Sequence, residues 1–312
     1  MFDITVIILT KDEELHISRC LERLRPLEAE RVVIVDSEST DGTCRIAREM
    51  GAEAVVHPWP GNQAAQFNWA LDNLDIQTRW VLRLDADEYL SPELIEEITR
   101  ECPALPEDVS AVVLPLGRVF LNRELKHGIV NGVSMIRLFR TGKCRYEQRL
   151  MDEHLTVLSG STVTFRNKFY DASLLPVSDF IAKHNSYSNR QAAVELIETY
   201  HLQDNDSSTF GDSNSDTPAL ASTVAHKRSQ KSRYSRMPLF VRSFGYFLYR
   251  YIFKFGFLDG KEGFLWDFFQ GWWYRTLVDA KILEIKRKSK GDPEAIKRIL
   301  KEQYNLNIDR VQ

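Results

Sequence analysis

The sequence predicts an α/β protein: a mainly parallel sheet flanked by helices, with an aromatic-rich helical extension at its C-terminal end. Three observations carry that expectation. Through residues 1–100, short β-branched runs alternate with amphipathic stretches, the rhythm of strand–helix–strand units with right-handed crossovers. Three of those runs lead into a polar, acid-rich cluster. Far downstream, sixteen of the thirty-eight residues from Pro238 to Arg275 are Phe, Tyr or Trp.

Taken in order, Ile4–Leu9 is a continuous apolar run of the kind that is covered on both faces. Leu15, Ile17, Cys20, Leu21 and Leu24 then recur at helical spacing. Arg31–Asp36 repeats the strand pattern, and the loop Ser37–Thr43 leads into a helix over Cys44–Met50 that Gly51 caps. A strand over Ala52–His57, a helix over Asn62–Asn73 and a strand over Arg79–Leu84 complete the alternation. Ser91-Pro92-Glu93-Leu94 starts the next helix with a serine cap and a proline in its first turn. Val109–Leu116, Gly132–Arg140 and Ser161–Phe165 read as further strands, and a helix runs from Asp179 through Tyr200. Asn122–Gly128, with Lys126 and His127, is either a substrate-facing loop or a plain surface hairpin.

A chain of 312 residues with 43% hydrophobic content can bury one large core or two smaller ones, so a main domain plus an appendage is expected. The net charge of −3 excludes nothing, but its distribution is uneven. His226–Lys290 holds fifteen Lys and Arg against five Asp and Glu, which suits an anionic partner such as phospholipid, a phosphorylated substrate or nucleic acid. Cys20, Cys44, Cys102 and Cys144 lack the paired spacing of zinc or dithiol redox sites, and reduced thiols are the simplest account. The run at Ile4–Leu9 is too short for the core of a signal peptide and precedes Lys11-Asp12-Glu13-Glu14. Nor does any uninterrupted window reach the roughly eighteen apolar residues of a spanning helix. A cytoplasmic location is the expectation.

The central stretch is Trp80-Val81-Leu82-Arg83-Leu84-Asp85-Ala86-Asp87-Glu88, an apolar strand running into three carboxylates. Acids so placed sit at a strand's C-terminal edge, where open α/β sheets bind their ligands. Asp85 and Asp87 are two apart, and at a strand end, where the backbone turns, both can reach one ion. The chemical reading is a divalent metal that holds a diphosphate; the plain one is a solvated turn. Thr10–Glu14, Asp36–Asp41 and Asp85–Glu88 are expected on one rim, which solvated loops do not readily explain.

Ile8-Leu9-Thr10-Lys11-Asp12-Glu13-Glu14, Val35-Asp36-Ser37-Glu38-Ser39-Thr40-Asp41-Gly42-Thr43 and Leu84-Asp85-Ala86-Asp87-Glu88 resemble the three successive nucleotide-sugar motifs of the family 2 inverting glycosyltransferases of GT-A fold. The resemblance covers roughly residues 3–200. It implies that Asp36 recognises the nucleobase, that Thr10 and Glu13 line the same pocket, that Asp85 lies near ribose and metal, and that Asp87 ligates Mg²⁺ or Mn²⁺. Two positions depart from the pattern: Asp12 stands where the family often has Asn, and Glu38 where it often has Gly.

In Arg149-Leu150-Met151-Asp152-Glu153-His154-Leu155 a second acidic pair precedes a strand. The family places its catalytic base here, and inverting transfer needs one carboxylate to take the acceptor hydroxyl's proton. The resemblance thus implies Glu153 as base, with Asp152 second. Lys183 and His184, at the start of the helix through Tyr200, are possible further contacts to diphosphate or metal, though such a pair is more often a surface feature.

The resulting division is a catalytic domain over residues 1–202, with donor binding in 1–100 and the acceptor and base part in 101–202. A flexible polar loop follows over 203–225, and a basic, aromatic helical region over 226–312. Treated as a helix, Pro238–Phe255 gathers Arg242, Arg250 and Lys254 on one edge and aromatics over the rest, as in a helix lying flat on a bilayer. A second helix through Trp266, Phe269, Trp272, Trp273 and Leu277 closes with Lys286-Arg287-Lys288 and Lys290, suited to anionic headgroups. The alternative is that these aromatics cap a core. Gly256–Gly263 and Trp273-Tyr274-Arg275…Val278-Asp279-Ala280-Lys281 also resemble transferases of bacterial surface polysaccharides, including lipopolysaccharide core glucosyltransferases. That implies a hexose moved from a nucleotide-diphosphate sugar to a lipid-linked or lipopolysaccharide saccharide, on the inner face of the cytoplasmic membrane. The rivals are a sugar nucleotidyltransferase, disfavoured because Ile4–Glu14 contains no Gly or Arg for a phosphate loop, and a non-catalytic membrane-docking protein. No nucleic acid is expected, although the basic aromatic segment would suit one.

Overall fold

The computed structural model describes residues 1–130, 132–147, 154–202, 234–235 and 237–306. These divide into two compact units, Met1–Leu174 and the described residues from Leu175 onward. The α/β expectation and the helical C-terminal region both hold.

In the first unit β1 (Phe2–Thr10) lies between β2 (Ala29–Asp36) and β4 (Trp80–Asp85), parallel to both, and β3 (Glu53–Val56) extends the parallel half beside β2. Alternate residues of β1 enter two different cores. Val6 and Ile8 pack with Ile17, Cys20 and Leu21 of α1 (Glu14–Leu24), whereas Ile7 and Leu9 pack with Ala64, Phe67 and Ala70 of α3 (Gln63–Asn73). A strand buried on both faces has no polar side to show, which is why Ile4–Leu9 reads as an unbroken apolar run. Between β2 and β3, α2 (Thr43–Glu49) is followed by Gly51 at φ +90°, the left-handed conformation expected of its cap. Asn62 caps α3 through Ala65, and Ser91 caps α4 (Pro92–Glu101) by accepting the Leu94 amide at 3.1 Å, with Pro92 in the first turn.

Beyond β4 the sheet changes sense. β8 (Ser134–Arg140) runs antiparallel to β4 and to β6 (Val109–Phe120), and β6 also pairs with β11 (Ser161–Thr164) and β12 (Phe169–Asp171) in parallel. β5 (Glu88–Leu90) closes the order 3-2-1-4-8-6-12-5. The segment Asn122–Gly128 is not a free loop: β7 (Arg123–Leu125) folds back on β6 as a hairpin. β9 (Cys144–Tyr146) and β10 (Leu155–Val157) form a separate two-stranded ribbon.

In the second unit α5 (Val177–Tyr200) packs Ala192, Ala193 and Leu196 against Val278, Ile282 and Ile285 of α8 (Tyr274–Ser289) and against Ile296, Ile299 and Leu300 of α9 (Pro293–Tyr304). The sequence division had set residues 175–202 with the preceding domain, and its polar loop 203–225 lies outside the described residues. The stretch Pro238–Phe255 is not one uniform helix: α6 (Val241–Leu248) widens into a π turn over Tyr249–Phe253 and ends at Phe255 in the left-handed region. α7 (Gly260–Asp267) and a second π turn over Phe268–Trp273 lead into α8.

The basic edge read from the helical wheel is corrected here. Arg242 is 1% exposed, donating to Asp279 at 2.7 Å and to Glu195 at 2.8 Å, and Arg250 is buried against Asp267 at 2.7 Å. A wheel records only angles along one helix, whereas the matching acids arrive from other helices. Of the three cations only Lys254 faces solvent. No helix among the described residues is long and apolar enough to cross a membrane.

The glycine-punctuated turn between α6 and α7 is tightly packed. A Cβ on Gly263 would lie 2.4 Å from the Gly256 carbonyl oxygen and 2.6 Å from the Asp259 Cβ, both rigid neighbours. Gly263→Ala should therefore cost about 1–3 kcal/mol of stability, as overpacking does, and lower the thermal melting midpoint, whereas Gly245→Ala, where a Cβ meets nothing within 4 Å, should not.

Candidate functional site

The strand register puts the acidic clusters on one rim. Thr10 at the end of β1 pairs with Asp36 at the end of β2, and Leu9 pairs with Asp85 at the end of β4. With neighbouring strands ~4.8 Å apart, Asp36 and Asp85 stand on strands roughly 10 Å apart, flanking β1.

Asp36 is buried, and its carboxylate is satisfied by hydrogen-bond donors rather than by a cation. The Thr10 hydroxyl donates to Oδ2 at 2.8 Å, the Ser39 hydroxyl to Oδ2 at 2.6 Å, and the Ser39 amide to Oδ1 at 2.7 Å. Burial and this nearby carboxylate push the Cys44 thiol up to about 11. The loops after β1 and β2 are further stitched together. The Asp12 amide donates to Ser39 Oγ, the Thr40 amide to Asp12 Oδ1, the Glu13 amide to Thr43 Oγ1, and the Gly42 amide to Glu14 Oε2, all between 2.7 and 2.8 Å. Glu13 is oriented from below by His16. The imidazole Nε2 accepts the Leu174 amide at 2.9 Å, which leaves Nδ1 to donate to Glu13 Oε2 at 2.6 Å.

The two departures from the family pattern have a common conformational meaning. Asp12 sits at φ +52° and Glu38 at φ +60°, in the left-handed region that Asn and Gly adopt most readily.

Asp85 is answered by guanidinium groups. Arg83 donates to its Oδ1 at 2.9 Å and Arg137 to its Oδ2 at 3.3 Å. Arg137 also donates to Glu88 Oε1 at 2.5 Å, and Glu88 Oε2 accepts the Asp85 amide at 2.9 Å. Arg83 reaches Gln63 and the Tyr146 hydroxyl as well. Burial pushes the Glu88 carboxyl up to about 8 against the opposing pull of Arg137. For Arg137 burial disfavours the charge, but Glu88 and Asp85 outweigh it and hold the guanidinium protonated. Asp87 is half-buried on the following turn, its carbonyl accepting from Ala172 and Arg19.

The structure thus brings Thr10, Asp36 and Asp85 to one rim, with Glu13 on the loop that leaves it. Glu153 and Asp152 lie outside the described residues. Lys183 and His184 belong to α5 of the second unit. There the His184 ring stacks on Phe180 at 3.9 Å, and its nitrogens contact the Phe180 carbonyl at 2.8 Å and the Gln270 amide at 2.7 Å. Arg83, Arg137, Glu88 and His16 were not assigned a site role from sequence. The legible signal was an arginine inside an apolar strand, two residues before Asp85 and so on its face.

Among the described residues no three His, Cys, Asp or Glu side chains converge to form a metal cage. A hard cation such as Mg²⁺ is commonly held by one or two carboxylates together with substrate phosphates and water. Asp87 fits that donor set. Asp85, with each oxygen already accepting from an arginine, fits as the weaker member.

Acidic strand ends on the carboxyl rim of a parallel half-sheet define a ligand-binding α/β protein of the open-sheet class. The chain belongs to glycosyl transferase family 2, whose match spans residues 5–173, nearly the whole of the first unit. It is 30% identical over 198 residues to an uncharacterised glycosyltransferase of Rickettsia conorii, covering 61% of this chain and 69% of that protein. It is 26% identical over 202 residues to the lipopolysaccharide core biosynthesis glycosyltransferase LpsC of Rhizobium meliloti, covering 61% and 70%. Among solved structures it is similar to S. aureus TarS, with a TM-score of 0.40 and 17% identity, covering 63% of this chain and 40% of that one.

Removing Arg137 leaves Glu88 buried with one fewer cation, so Arg137→Met should destabilise the first unit by about 3–5 kcal/mol in chemical denaturation. Glu38→Gly should do the reverse, raising stability by about 1–2 kcal/mol through relief of a left-handed non-glycine residue, as read from the thermal midpoint.

Proposed function

We propose that the protein is a metal-dependent inverting hexosyltransferase of cell-surface polysaccharide synthesis. It moves a hexose from a nucleotide-diphosphate sugar to a lipid-linked or lipopolysaccharide-type saccharide, working at the cytoplasmic face of the inner membrane. The observation that carries the reading is the strand register that sets Thr10, Asp36 and Asp85 side by side on one rim of a family 2 chain. The likeness to a lipopolysaccharide core biosynthesis glycosyltransferase supports the acceptor class.

In this reading Asp36, held rigid by Thr10 and Ser39, accepts from the nucleobase, and Glu13 borders the same pocket. Asp85 receives the ribose, and Asp87 with Asp85 holds Mg²⁺ or Mn²⁺. The cation, when bound, offsets charge on the departing diphosphate. Glu153, with Asp152 as the second choice, takes the proton of the acceptor hydroxyl as its oxygen attacks the anomeric carbon from the face opposite the leaving group. One base and an in-line attack are sufficient for inversion.

Two measurements test this. Nucleotide-diphosphate hexoses should raise the melting temperature of the wild-type protein only with Mn²⁺ or Mg²⁺ present, and Asp87→Ala should abolish that shift. With a saccharide acceptor, Glu153→Gln should lower kcat by about a hundredfold or more while leaving the donor-induced shift intact. An Asp87→Ala protein with full transfer in Mn²⁺ would refute the metal role, and an unaffected Glu153→Gln would move the base to Asp152.

A further inference from the structure

We infer that the turn joining α6 to α7 is a bilayer-inserting wedge that docks on an anionic lipid surface. The inference deepens the membrane part of the reading above, but it rests on the surface of the second unit and not on the transfer chemistry.

The turn presents an unusual run of apolar side chains. Phe253 is 70% exposed, and Ile252, Phe255, Phe257 and Leu258 are each between 45% and 56% exposed, five of the seven residues from 252 to 258. The exposed rings continue onto Tyr249 and Phe264, with Tyr251 bridging Phe257 and Phe264 at 6.2 and 5.6 Å. Isolated exposed apolar residues are ordinary; a contiguous patch of this kind marks an interaction surface.

The backbone holds this patch out rigidly. Phe255 is in the left-handed region at φ +60°, a conformation costly for an aromatic residue. It is held there because its amide donates to Ile252 O at 3.1 Å and its carbonyl accepts from Leu258 at 3.0 Å. Behind the turn the Arg250–Asp267 pair is buried, and Gly256 packs so closely that a Cβ would overlap Asp267 Oδ2.

Charge selects lipid as the occupant. From residue 237 to 270 the acids are Asp259, Glu262 and Asp267, and the first and last are buried. Arg242 and Arg250 are buried too, so within this stretch the charges left are Lys254 and Lys261, both exposed, and the half-buried Glu262. Lys254 Nζ lies 5.6 Å from the Tyr249 ring centre. Apolar side chains at the tip, tyrosine at the shoulder and lysines beside them match the acyl, interfacial and headgroup layers of an anionic bilayer in turn.

The test is flotation of the full-length protein with phosphatidylethanolamine vesicles, with and without phosphatidylglycerol. Wild type should float with the anionic vesicles. Phe253→Glu combined with Phe257→Glu should reduce the floated fraction roughly tenfold or more with an unchanged circular-dichroism melt. Lys254→Glu with Lys261→Glu should weaken flotation only where phosphatidylglycerol is present. Wild-type protein that stays at the bottom of the gradient overturns the inference, as does flotation indifferent to the phenylalanine changes. So does a dimer, seen by light scattering, that those changes convert to monomer without any vesicle effect, because the face would then belong to a second copy. Loss of the donor-induced thermal shift with flotation intact would sink the transferase reading alone.

Discussion

Four ionisable side chains packed around the end of β4, Arg83, Asp85, Glu88 and Arg137, govern the rest of the rim. Arg137 precedes Leu138, whose partner across the antiparallel pair is Leu82, and Arg83 follows Leu82, so both arginines leave the paired segment at the same end. Two guanidinium groups brought to one carboxylate repel. They are tolerable because Asp85 accepts from both, and Arg137 is paired with Glu88 as well. The change from parallel to antiparallel pairing at β8 is what delivers the second arginine. Asp36, two strands away in the purely parallel half, has no such neighbour and is held by hydroxyl and amide donors instead. One rim therefore offers two carboxylates of different character, one neutralised by cations and one held only by dipoles.

Much of this architecture was legible in the sequence, because a strand covered on both faces must be apolar throughout and because caps and left-handed turns demand particular residues. Ile4–Leu9, the Ser91-Pro92 helix start and Gly51 all read correctly for those reasons. Elements of three residues, such as β5 and β12, carry no periodicity and could not be read, whereas a surface hairpin at Asn122–Gly128, which holds β7, is one of the two readings the sequence leaves open. The rim acids were legible, but the arginines that answer Asp85 were given no role: Arg137 arrives from β8, far off in sequence, and the bond from Arg83 to the acid two residues on shows only in the folded strand. Glu153 and Asp152 are assigned by resemblance alone.

The C-terminal unit shows the opposite failure. Its cations were visible in sequence and were read as facing outward. Arg242 instead joins three helices, meeting Asp279 of α8 and Glu195 of α5 from its place on α6. A buried pair of this kind contributes little net stability but strongly disfavours arrangements in which one partner is lost. Part of the positive excess between residues 226 and 290 is thus internal wiring, while Lys254, Lys261, Arg287, Lys288 and Lys290 remain exposed.

The stitched loops after β1 and β2 bear on the energetics of any ligand that settles there. Thr10, Asp12, Glu13, Ser39, Thr40 and Thr43 already hold one another in place, so a bound group would displace water without ordering the chain. Preorganisation of this sort removes the entropic cost that a floppy loop would add to binding. It also makes such a site unforgiving: a rigid cradle distinguishes ligands by shape, where a yielding one would adapt to them.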